Sequence, residues 1–280
     1  NFVFVRDDAD HLLPFSPNNG DDFFKMSGVK FWYDGSPYTG SMYLNEPFKS
    51  SSVNQEKIHV PLGHSGKALW KNDEISNRIK QYDSVGWQVA VHTQGDRAIS
   101  ETLDAFEKSG IPKNSRHRLE HCLLPSKKAI QRMVKLGVSP SFHINHLWYY
   151  GEALEDHIIG QERTDEILPL KSAENNSLIF SIHADQPMFE SNPLSLLHTA
   201  VNRKTRYGNL FGKSNKIGVE QGLKSLTINA AWQIKMENKI GSIKPGKYAD
   251  FVILDQNPMM VDPEKIKDIH VLQTIVNGNI

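Results

Sequence analysis

At 280 residues the chain is long enough for one large α/β domain or two smaller ones. Its 32 Lys and Arg balance its 32 Asp and Glu, which removes any bulk-charge argument for a nucleic-acid or anionic-membrane partner. One cysteine, Cys122, excludes an internal disulfide framework and a cysteine-built zinc cage, and no apolar run approaches the ~20 residues that span a bilayer.

The chain opens abruptly on a strand-like run, Phe2 to Val5, with no initiator Met and no signal-peptide pattern. This leads to the expectation that it begins inside a larger domain. Residues 7–27 are polar and broken by Pro and Gly, so they read as loop. Gly28 to Trp32 forms the next strand and ends at the turn Asp34-Gly35-Ser36-Pro37. From there to about Gly66 the chain reads as a long functional loop or lid. Asn72 or Asp73 caps a helix with Ile75, Ile79 and Tyr82 on one face.

A strand from Gly86 to Val91 leads to a helix from Arg97 to Lys108, closed by Gly110. His117 to Glu120 is a short strand. Ser126 caps a helix with Ile130, Met133 and Val134 inward, and Val138 to Phe142 is again a strand. Residues 145–176 are mixed, with a helix expected around Gln161 to Leu168. Leu178 to Ile182 is a strand, and Asn192 to Asn202 a helix. Val219 to Met236 reads as one long helix, and the tail turns β-rich, with strands around Phe251 to Leu254 and Val271 to Val276. Alternating strands and helices with β-branched strands are the signature of parallel βαβ units. The division expected is 1–215 for a partial (β/α) barrel and 216–280 for its last helix with a small β segment.

Several strands end in residues able to hold a cation. Gln88-Val89-Ala90-Val91 runs into His92, Arg118-Leu119-Glu120 into His121, and Leu178 to Ile182 into His183-Ala184-Asp185, while Lys30 lies inside an apolar strand. A parallel barrel builds its site from such strand ends. Imidazole nitrogen and carboxylate oxygen suit a divalent cation, which lowers the pKa of the water it binds toward ~7. An aspartate behind five mostly apolar residues needs a partner or a role. His143 and His146, just past a strand, are placed to touch substrate, with Trp148, Tyr149 and Tyr150 as a pocket wall or as ordinary core. Asp96 reads as a helix cap or as a group that orients His92, and Glu120 is expected to back the ligands in the same way. Cys122 is expected to be a buried, inert thiol.

These stretches, taken together, resemble the metal-dependent amidohydrolase superfamily, in the branch that includes N-substituted formamide deformylase. The resemblance is carried by Gly28-Val29-Lys30-Phe31 with Asp34-Gly35-Ser36, by Val91 to Ala98, by Arg116 to His121, and by Ala184-Asp185-Gln186-Pro187 with Asn192-Pro193-Leu194. The tail adds Thr227 to Ala231, Gly241 to Phe251 and Thr274 to Gly278. It implies a (β/α)8 TIM-type barrel, here incomplete with its first strands missing, and a small β-sandwich remnant at the C-terminus. It makes Lys30 the strand lysine, often carbamylated and bridging two metals, makes His92 and His121 metal ligands, and makes Asp185 both a ligand and the proton shuttle. The cofactor implied is a divalent metal, zinc first, with one or two ions. Two departures stand out. No His-x-His pair precedes Lys30, where His11 stands alone, and His183-Ala184 takes the place where the family more often has Gly-Ser, which bears on that loop's shape.

The function expected is hydrolysis of a C–N amide-type bond in a small molecule. The rival is an inactive half-barrel that only binds or assembles. Exposed strand edges favour self-association. A nucleic-acid partner is disfavoured by the neutral charge, no membrane partner is expected, and a cytoplasmic setting is.

Overall fold

A computed structural model describes the backbone of residues 2–6, and residues 16–21 and 24–279. The first strand, β1 (Phe2–Arg6), falls where the apolar opening placed it, but its side chains and His11 lie outside the described residues, as do residues 7–15. β2 (Lys25–Trp32) starts three residues earlier than the sequence suggests. β3 (Gln88–Thr93), β4 (Arg118–His121), β5 (Ser139–His143) and β6 (Ser181–His183) follow. All six pair in parallel and in strict chain order, β1 to β6. This is the α/β arrangement read from the sequence. β1 and β6 are the two edges and are not paired with each other among the described residues.

Helices cover the outer face. α1 (Asn72–Ser84) buries Ile75, Ile79 and Tyr82, and α2 (Asp96–Ser109) buries Ile99, Leu103 and Phe106. Asn72 is the first helical residue rather than the cap, because the Glu74 carboxylate already accepts from the Lys71 N–H at 3.3 Å. α3 (Lys127–Leu136) begins at Ser126, whose hydroxyl accepts from the Ala129 N–H, and ends at Gly137 in the left-handed region. Val134 does not turn inward. It lies one position beyond the Ile130–Met133 face and is 41% exposed.

The segment read as mixed proves largely helical. α4 (Asn145–Ala153) runs through a π-turn into α5 (Gln161–Asp165), which is shorter than expected, and α6 (Leu170–Asn175) follows. The helix expected around Gln161 to Leu168 is thus present as α5, while α4 and α6 carry no side-chain cap and are too short for a clear period, which is why they were not picked out. α7 (Pro193–Asn202) starts one residue after the expected Asn192, which proves to be its cap, its side chain accepting from the Ser195 N–H. The segment from Ser36 to Gly66 is not structureless, since short helical turns form at Pro37–Thr39 and Val53–Lys57 and Met42, Leu44, Phe48 and Val60 are buried in the main core.

The long helix expected over Val219 to Met236 is broken into α8 (Val219–Leu226) and α9 (Ile228–Gln233) at Thr227. The Thr227 hydroxyl donates to the Leu223 carbonyl at 2.7 Å, a side-chain bond that competes with helix continuation. The break turns Gln233 under the sheet, where Ser181 donates to its side-chain oxygen and its amide donates to the Pro140 carbonyl. β7 (Phe251–Leu254) and β8 (Val271–Ile275) form a separate two-stranded antiparallel sheet. Its apolar residues face α8 and α9 across a cavity of about 890 Å3. No helix among the described residues is long and apolar enough to cross a membrane.

Candidate metal centre

The polar strand ends converge at one rim of the sheet. In register, Trp32 lies opposite His92, His92 opposite Glu120, His121 opposite Phe142, and His143 opposite His183. Since alternate residues of a strand face the same side, Ser141 and His143 project with Ser181 and His183. His121 leaves that pattern. It takes φ of 71°, and Cys122 follows at 45°, which swings the imidazole over its neighbours. Asp185 also sits in the left-handed region, at 61°. Three non-glycine residues held there, all next to the rim, mark a site over-determined by its surroundings.

The result is a nest of imidazoles. The His92 and His121 ring centres are 4.5 Å apart, those of His121 and His183 5.1 Å, and those of His143 and His183 5.1 Å. Ligand atoms of His121, His183 and Asp185 all lie within 4.8 Å of one another. Burial deprotonates this nest. It pulls His92 down to about 4, with the Lys30 charge assisting, and takes His121, His143 and His183 below the ordinary imidazole value. Neutral imidazoles are the form that binds a cation. Several buried nitrogens have no protein partner, namely His121 Nδ1, both nitrogens of His143, and His183 Nε2. A buried polar atom left unpaired costs ~1–3 kcal/mol, so a cluster of them at one point fits a group that binds there.

The other expected site residues fall at different distances. Lys30 lies with its ammonium 5.1 Å over the Trp32 ring, close enough for its charge to be felt by His92, His121 and His183. Glu120 is buried and bonded to Arg118 at 2.8 Å. Burial alone would raise its carboxyl, but Arg118, His183 and Lys30 outweigh it and bring it below the usual range. Asp96 does not reach toward His92, because its carboxylate is occupied by the backbone N–H and side-chain amide of Asn45 at 3.0 and 2.7 Å. His146 has both nitrogens engaged, with the Tyr38 hydroxyl at 2.6 Å and the Gln94 amide at 3.1 Å. Tyr149 and Tyr150 pack with Phe189 beside His143, whereas Trp148 turns away to His198. Cys122 is fully buried, and burial pushes its thiol up.

Two residues were not singled out for a role by sequence reasoning. Asp34, read as a turn residue, is fully buried and accepts backbone N–H bonds from Tyr43, Gln94 and Gly95, each at 2.9 Å. Burial raises its carboxyl to about 7 against those three bonds. One oxygen lies 3.8 Å from His92 Nε2, so Asp34, not Asp96, is the carboxylate behind that imidazole. It also pins the loop after β2 against the turn before α2, a contact so close that a Cβ at Gly95 would strike the Tyr43 carbonyl. His183 is the second. Strand alternation from Ser181 was the signal that could have found it.

A family profile described as "Amidohydrolase family" matches residues 7–280. The chain is 28% identical over 263 residues to the Arabidopsis thaliana protein LONG AFTER FAR-RED 3, covering 92% of this chain and 43% of the relative. It is 25% identical over 293 residues to N-substituted formamide deformylase of Arthrobacter pascens, covering 99% of this chain and 54% of that protein. It shares its fold with a solved structure described as an uncharacterized metal-dependent hydrolase from Pyrococcus horikoshii OT3, with a TM-score of 0.79 and 24% identity over 94% of this chain and 51% of the other. The chain thus spans about half the length of the curated relatives it matches.

Proposed function

Because the chain belongs to the amidohydrolase family, we propose that it acts as a metal-dependent hydrolase on a C–N amide-type bond of a small molecule. The observation that carries this reading is the group of partnerless, deprotonated imidazole nitrogens beside the Asp185 carboxylate at the strand ends. A divalent cation held there, zinc first, supplies Lewis acidity and lowers the pKa of water toward ~7. His121 and Asp185 are the residues to hold it. His92, a ligand in the same reading, lies alongside, its ring centre 4.5 Å from that of His121 and its Nε2 3.4 Å from the Gly35 carbonyl. Lys30, as a carbamate, would add an oxygen ligand for a second ion.

Asp185 takes the proton from the attacking water on a carboxylate oxygen and returns it to the leaving nitrogen, so the two transfers balance. His143 lies next to that space, and His146, oriented by Tyr38 and Gln94, stands behind it as the group that fixes the substrate carbonyl. Glu120 and Asp34 orient the imidazoles they face. A catalytic layer over residues 1–215, a cytoplasmic setting and self-association through the open edges of β1 and β6 belong to the same reading.

The test is to load the protein with zinc, dialyse it, measure retained metal, and assay a panel of N-formyl and N-acyl amines. Stoichiometric zinc, with amine release that Asp185→Asn abolishes, is the expected result. Protein that retains no zinc from excess would instead favour a purely binding or assembly role.

A further inference from the structure

We propose that His183 is itself a ligand of the cation, so that His121, His183 and Asp185 form a complete three-donor site within one stretch of the chain. The inference rests on the cation-binding reading above and goes beyond it by adding a residue which that reading leaves without a role. Four observations carry it. The ligand atoms of these three side chains lie within 4.8 Å of one another. His183 Nε2 is buried with no protein partner. The ring is held in place from two sides, 5.1 Å from His121 and stacked 5.1 Å from His143 at an interplanar angle of 25°. Its strand fixes its direction, since His143 and His183 are register partners at the ends of β5 and β6.

Rival roles for this imidazole do not fit as well. The packing histidine His117, by contrast, has Nδ1 on the Val89 N–H at 2.9 Å and Nε2 3.2 Å from the Asp83 carboxylate. A substrate-fixing histidine is tied behind, as His146 is by Tyr38 and Gln94. His183 has neither arrangement around Nε2. The charged groups around it, Glu120, Asp185, Lys30 and Arg118, are two acids and two bases. Adding a dication therefore does not meet a pre-existing positive excess. Two imidazoles and one carboxylate form the donor count of catalytic zinc sites, which keep a further position open. That mixture selects a borderline first-row ion such as zinc or cobalt over magnesium or calcium. Lys30, lying over Trp32, is not needed to complete it.

The experiment is a competition titration of zinc against a chromogenic chelator, on wild-type protein and on His183→Gln and His183→Phe. Phe keeps the ring packing on His143 and His121 but offers no nitrogen. The expected result is about a 100-fold loss of zinc affinity in both variants, with metal-free melting temperature and circular dichroism held. Magnesium in large excess should not compete with zinc in the wild type. In isotope-labelled wild-type protein, through-bond coupling between bound cadmium and the His183 side-chain nitrogen should appear, and this readout needs no variant to fold. Wild-type affinity in both variants, or cadmium bound without coupling to His183, overturns the inference while leaving the hydrolase reading in place. Wild-type protein that binds neither metal overturns both.

Discussion

The two ends of the parallel sheet treat buried polar groups in opposite ways. At the base, Ser139 donates to the Ile179 carbonyl at 2.7 Å, Ser181 reaches both Ser141 and Gln233, and Gln88 donates to the Gln233 carbonyl at 2.7 Å. Each of these side chains has found a protein partner. At the rim, His121, His143 and His183 keep nitrogens that no protein atom satisfies, and His121 and Asp185 sit in unfavourable backbone regions. Both networks are buried, so burial of polar groups alone does not reveal a site. What separates these two networks is that one is closed within the chain and the other gathers several open nitrogens, with a carboxylate beside them, at one point.

That contrast can be broken by substitution at either end. His121→Ala should reduce zinc affinity by ~3–4 kcal/mol, about a quarter of the binding energy of a well-formed zinc site, with little loss of metal-free stability. Isothermal titration and a urea melt check the pair of values. Equal losses in both would mean that the rim is structural after all. Gln233→Ala should do the reverse. It removes the amide that donates to Ser139 and Pro140 and the oxygen that accepts from Ser181, and should lower stability by ~2–3 kcal/mol in urea, with zinc affinity unchanged.

Acid should distinguish the ends too. In metal-free protein the imidazoles of His92 and His146 are held down to about 4 and about 3 by burial, against an ordinary 6.5. The unfolded chain therefore binds protons first as pH falls. Stability is full above about 6.5 and is lost as pH drops toward 4, by ~2 kcal/mol for His92 at pH 5. Urea midpoints at a series of pH values test this, and a flat profile between pH 7 and 5 would contradict it. The smallest effect belongs far from both ends. Ser126→Ala removes the hydroxyl that accepts from the Ala129 N–H at 3.1 Å and should lower stability by ~1 kcal/mol with no change in zinc binding.

Much of the fold was legible because strand and helix periods were distinct. β3, α2, β5 and α7 lie within a residue or two of their expected bounds. The failures have physical causes. Thr227 hides a helix break that only its side-chain bond and the demand of the sheet base for Gln233 explain. α4 and α6 are short and lack a side-chain cap, so neither shows a clear period. The site was half visible. His92, His121 and Asp185 were candidates because each closes a strand-like stretch. Asp34 looked like a turn residue, since nothing local reveals three backbone donors that arrive from elsewhere in the chain. His183 was read as an oddity of the loop, although its alternation with Ser181 pointed it inward.

Zinc-edge X-ray absorption on the loaded protein tests the central claim most directly. We expect a shell with the scattering pattern of two or more imidazoles, completed by light oxygen donors and free of sulfur. An oxygen-only shell, or an edge no stronger than that of zinc in the dialysis buffer, would contradict the account.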